Sequence, residues 1–112
     1  MITYYKIYKN DDPTIFYIGS TLNFSRRKFQ HKKNTRNKVG KLYHTLLYKT
    51  IRDNGGWDNF TIESIWENEE HNLRYLEERA IINILQPPLN RNNPTKEKPS
   101  EEILIKFKDL KT

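Results

Sequence analysis

The sequence contains no cysteine. Disulfides and thiolate zinc sites are therefore excluded, and any metal must be held by oxygen or imidazole ligands. Long apolar runs are missing as well. No stretch approaches the roughly 20 residues needed to cross a bilayer, and Met1-Ile2-Thr3-Tyr4-Tyr5 lacks the charged and apolar regions of a secretory signal. These absences predict a soluble, intracellular chain of cytoplasm, nucleoid or nucleus, with no membrane partner. Two full-sized domains do not fit into 112 residues. The most informative absence is local: from Pro13 to Arg52 there is no Asp or Glu, while ten Lys and Arg fall in the same window. The other 72 residues hold ten basic and fourteen acidic side chains, so the whole net charge of +6 belongs to that window. Such segregation points to a polyanion-facing surface, because phosphate contacts release counterions and supply most of the sequence-independent affinity for nucleic acid.

Seven Tyr, five Phe, two Trp and twelve Ile argue for a folded domain despite 30% charged residues. Residues 3–9 alternate around Tyr5 and Ile7. Asn10 to Pro13 is turn chemistry, and Ile15 to Ile18 is a second β-prone run ending at Gly19, so a β-hairpin is predicted. Asn23 suits the N-cap of a basic helix that frays near Asn34 to Asn37. A second helix is predicted over Lys41 to Asp53, with Leu42, Leu46 and Thr50 on one face, Tyr43, Leu47 and Ile51 beside it, and Asn54-Gly55-Gly56 as its stop. Thr61 to Trp66 reads as a third strand of imperfect alternation. The strongest helical pattern, with Leu73, Leu76, Ala80, Ile81, Ile84 and Leu85 in register, ends at Pro87-Pro88. Residues 1–93 form one domain in this reading. Residues 94–112 are a polar linker and a short segment, helix or strand, that docks on the core or joins two subunits.

Three constellations could carry chemistry. Tyr17-Ile18-Gly19-Ser20-Thr21 ends a strand just before a basic helix, where a glycine admits close approach of a phosphate and a helix N-terminus favours an anion. Tyrosine also suits a half-buried sheet. Arg27 and His31 lie four apart and share a helix face, so a permanently charged fork and a titratable imidazole could grip one phosphate. Arg26, Lys28, Lys32 and Lys33 read as a solvated face that touches the nucleic-acid backbone. Glu77 and Glu78 both border the apolar arc of the third helix; a carboxylate there needs a pairing cation or a metal, and spacing does not choose between them.

Tyr5-Lys6-Ile7, an intervening strand-turn-strand, then Tyr17-Ile18-Gly19 resembles the signature of the GIY-YIG nucleases. The similarity continues through Arg27, His31, the Asn54-Gly55-Gly56-Trp57 turn, a helical glutamate and Asn90, covering residues 3–90. The usual glycine of the first half-motif is Thr3 here. Tyr8 spells that half-motif more literally, but Tyr5 has the better spacing to Tyr17. The resemblance implies an α/β fold with a small three-stranded antiparallel sheet flanked by helices. It also implies hydrolysis of a DNA phosphodiester with one divalent ion, Mg2+ or Mn2+. It selects Glu78, twelve residues before Asn90, as the carboxylate that binds the metal. Arg27 would stabilise the phosphate charge, Tyr5 would position or deprotonate the water with help from Tyr17 and His31, Gly19 and Ser20 would face the substrate, and Asn90 would orient a phosphate or brace the site. The alternatives are a DNA-binding module on the same fold that does not cut, and an RNA-directed basic protein. A homodimer or a specificity partner is compatible with each.

Overall fold

The tyrosine-rich N-terminal runs form the expected hairpin. In the computed structural model, which describes residues 1–69, 74–90 and 101–107, β1 (Ile2–Lys9) pairs antiparallel with β2 (Asp12–Thr21). Pairing runs from Thr3 opposite Thr21 to Tyr8 opposite Phe16, after which the register shifts and Lys9 faces Asp12. Pro13, which cannot donate to a ladder, sits in that irregular end. The third strand, β3 (Phe60–Asn68), adds to the other side of β1 and gives the antiparallel order β2-β1-β3. The fold is thus the expected α/β arrangement of a small three-stranded sheet with helices around it.

β1 is central and covered on both faces, which explains why it is almost continuously apolar or aromatic. Ile2 and Tyr4 join Ile18, Ala80, Ile81 and Phe107 in one core, whereas Tyr5 and Ile7 join Leu47, Tyr48, Ile51 and Phe60 in the other. The imperfect alternation of β3 is a bulge. Tyr4 faces Trp66 while Tyr5 faces Ser64, so Ile65 is the extra residue, and both Ile65 and Trp66 pack on the first core.

Asn23 caps α1 (Phe24–Arg36) as its sequence suggests, its side chain accepting the Arg26 N–H at 3.0 Å. The second helix departs from expectation. α2 spans only Leu46–Asp53, and residues 41–45 form turns in which Tyr43 N–H donates to Gly40 and Thr45 N–H to Leu42. The Arg52 guanidinium takes the Tyr43 carbonyl at 2.6 Å and the Thr35 carbonyl at 3.1 Å, diverting a carbonyl that an earlier helix start would use. The buried face of α2 is therefore Leu47, Tyr48 and Ile51, while Leu42 and Leu46 stay half exposed. Gly55 and Gly56 close the helix in left-handed backbone, with φ of 95° and 93°. A short 3-10 turn, Trp57–Asn59, then feeds β3.

α3 (Arg74–Leu85) packs against β2 and ends with Gln86 in left-handed backbone before Pro87. Of the two forms open to the C-terminal segment, the structure has a helix. α4 (Glu101–Phe107) packs against α3 and sets Phe107 edge-on to Tyr4 and Trp66, with ring centroids 6.3 and 5.1 Å apart. The boundary between residues 93 and 94, the linker over 91–99, Leu73 and Leu110 lie outside the described residues. No helix among the described residues is long and apolar enough to cross a membrane.

Candidate active site

Tyr5 is the centre of the second core. It points from the central strand toward α1, its hydroxyl 2.7 Å from Nε2 of His31, and both side chains are buried. Tyr8, the alternative first-motif tyrosine, takes no part: its exposed hydroxyl faces Glu63 at 3.4 Å. Gly19 stands opposite Tyr5 in the ladder, and a Cβ there would collide with Oη and Cζ of Tyr5. The room left by the missing side chain is filled by the tyrosine ring, so the glycine makes space for Tyr5.

His31 is held from every side. Its Nδ1 lies 2.8 Å from the Tyr48 hydroxyl, its ring stacks on Trp57 at 15° with centroids 6.4 Å apart, and Tyr17 meets it edge-on at 6.0 Å. Asn34 donates to the Tyr48 hydroxyl at 3.4 Å. Burial, reinforced by the Arg27 charge, pushes the imidazole pKa down to about 4, so the ring is neutral at pH 7. A neutral imidazole has one donor and one acceptor nitrogen, which matches two hydroxyl partners. Burial also pushes Tyr17 up to about 12 and raises Tyr5 further, with Arg27 pulling both the other way. Both phenols therefore stay protonated at neutral pH, and Tyr5 has Nε2 of His31 within hydrogen-bond distance.

Arg27 and Glu78 converge on these aromatics. Both bear electrostatically on Tyr5 and Tyr17, and Arg27 acts on Glu78 as well. The Nε of half-buried Arg27 is out of solvent with no hydrogen-bond partner among the described residues. Burial raises the Glu78 carboxyl, opposed by a hydrogen bond with the Ser20 hydroxyl and by the charges of Arg74 and Arg27. The two glutamates that spacing left equivalent are thereby separated. Glu77 is fully buried on the other side, accepting from Tyr4 at 2.8 Å, from Asn68 at 2.9 and 3.0 Å and from Lys106 at 2.6 Å.

Ser20 and Asn90 both have partners within the fold. Ser20 is buried, its hydroxyl accepting from Nε of Arg74 at 3.0 Å and its carbonyl from the same guanidinium at 2.8 Å. Asn90 accepts the Ile18 N–H through Oδ1 and donates to the Ile18 carbonyl through Nδ2, each at 2.8 Å, and so braces β2. Arg26, Lys28, Lys32 and Lys33 are exposed along α1, as a phosphate-facing surface requires. Sequence reasoning missed Tyr48 altogether, and it did not tie Arg74 to Ser20 and Glu78. The position of Arg74 four residues before Glu78 was the available signal for the latter.

No three His, Asp or Glu side chains converge as a metal-ligand set among the described residues. Glu78 fits a different kind of site. Its desolvated carboxylate, raised despite two nearby arginines, favours a further cation, and a hard ion that keeps most of its own waters needs few protein ligands. No family model, curated protein or solved structure matches the chain.

Proposed function

We propose that the protein is a GIY-YIG-like endonuclease that hydrolyses DNA phosphodiester bonds with the help of one Mg2+ or Mn2+ ion. The observation that carries the reading is the convergence of an incompletely bonded Arg27, an incompletely compensated Glu78 and the Tyr5–His31 pair beside a helix of exposed cations. Each group has a task suited to its surroundings. Arg26, Lys28, Lys32 and Lys33 attract the backbone by counterion release. Arg27 presents preorganised positive charge to the phosphate oxygens, where negative charge grows during attack. Tyr5 orients the water that attacks phosphorus. As the water oxygen bonds to phosphorus and the bond to the leaving oxygen breaks, the water's proton passes to Tyr5 Oη, the tyrosine's own proton passes to Nε2 of His31, and the leaving oxygen takes a proton from solvent, to which His31 then returns its own. That relay requires the His31 tautomer with Nδ1–H donated to Tyr48, and Trp57 fixes the ring plane. Glu78 would hold the divalent ion, which supplies Lewis-acid neutralisation of the phosphate when bound.

The test is magnesium-dependent nicking of supercoiled plasmid. Wild type should nick, and Arg27→Ala and Glu78→Ala should each lose about 10²–10³-fold in rate. Absence of nicking across metals and substrates would sink the enzymatic reading. Equal nicking by Glu78→Ala would remove the metal role from that residue.

A further inference from the structure

Arg27 borders three neighbouring clefts that differ in chemistry. One, of about 230 Å³, is basic, with Arg26, Gln30 and Arg74 in its wall. Another, of about 430 Å³, runs along α1 past Gln30, Lys33, Asn34 and Asn37. The third, of about 410 Å³, contains Tyr17 and His31 but is walled by Leu42, Leu46, Leu47 and Leu89. Leu42 is 49% and Leu46 39% exposed, because the turns over residues 41–45 hold them out of the core. An apolar wall between cationic stretches is an odd surface for regular duplex. A duplex keeps its bases stacked inside and offers phosphates and polar groove edges, which would leave the leucines uncovered. A single strand presents charged phosphates and apolar base faces in alternation, and proteins that bind it pair a cationic groove with aromatic platforms, which Tyr17 and Tyr48 supply beside the leucines of this cleft.

We infer that Leu42, Leu46, Leu47 and Leu89 form a nucleobase subsite, in which an unstacked base sits next to the phosphate held by Arg27. The substrate is then a single strand or an unpaired segment of DNA. This assignment rests on the phosphodiesterase reading for its phosphate, but the subsite can be tested without cleavage.

The probes are an oligothymidylate and an abasic sugar-phosphate strand of equal length and charge, followed by fluorescence anisotropy in chelator. Wild type should bind the thymidylate about tenfold more tightly. The Leu42→Ala/Leu46→Ala double variant should lose that preference and bind both strands as wild type binds the abasic one. Equal binding of the two strands by wild type overturns the subsite, whether or not plasmid is nicked. A wild-type dimer that the double variant dissociates gives the leucines to a second copy of the chain and also overturns it. A preserved base preference with no cleavage of either plasmid or the oligothymidylate in Mg2+ or Mn2+ keeps the subsite and removes the hydrolytic reading, whereas no binding to either strand removes both.

Discussion

Glu77 and Glu78 follow one another on α3 and lie in opposite kinds of surroundings. Glu77 accepts four hydrogen bonds in the core that holds Tyr4 and Phe107, and its charge is paired with Lys106. Glu78 is half buried beside Ser20 and Arg74 and remains raised by desolvation. The same contrast separates the two cores: one is closed around a satisfied carboxylate, the other keeps a chain of hydroxyl and imidazole contacts next to a cleft. The lesson is that burial alone does not mark a structural residue; burial with every lone pair occupied does.

The largest effect that would break this comparison comes from Glu77. Glu77→Ala strands the Tyr4 hydroxyl and the Lys106 ammonium, and should cost about 3–5 kcal/mol in urea denaturation. Glu78→Ala should change stability by less than about 1 kcal/mol, since it removes a carboxylate whose burial is poorly compensated. Equal losses would erase the distinction.

Next in size is pH. His31 titrates near 4 in the fold and near 6.5 when unfolded, so the unfolded chain takes up the proton first. Stability is then complete above about 6.5 and declines as pH falls toward 4, by up to ~3 kcal/mol. Glu78 acts oppositely: its raised value means that the folded chain gains from protonation as pH falls. Melting temperature against pH should therefore flatten in His31→Gln and steepen in Glu78→Gln.

Gly19→Ala tests the support of the open side. Overlap of the new methyl with Tyr5 should cost about 1–3 kcal/mol, and plasmid nicking by the folded fraction should fall as the Tyr5–His31 contact shifts. A fully active, fully stable variant would mean that Tyr5 can move without consequence. Asn90→Ala should cost about 1–2 kcal/mol for two hydrogen bonds to Ile18, with faster hydrogen exchange at the Ile18 amide as its local signature.

Local chemistry was legible in the sequence wherever a residue's partner is near in the chain. Asn23 as a cap, Gly55-Gly56 as a stop and the N-terminal hairpin all belong to this class. The start of α2 was not legible, because Arg52 reaches back to the Tyr43 carbonyl and no period in the sequence encodes that bond. Tyr48 was hidden for the same reason, its role being set by a histidine seventeen residues away. The motif pattern brought together Tyr5 and His31, which the structure places in contact, but it carried no sign of the internal partners of Gly19, Ser20 and Asn90, which are Tyr5, Arg74 and Ile18.

The bracing of β2 by Asn90 has a consequence outside the site. β2 is an edge strand, and an uncovered edge is a template for pairing with another chain. The Leu89 N–H bonds to Phe16 and the Asn90 amide imitates a peptide group opposite Ile18, occupying the row of donors and acceptors along that edge as a fourth strand would. Two residues thereby take up the outward backbone groups of Phe16 and Ile18 that a second chain would otherwise pair with.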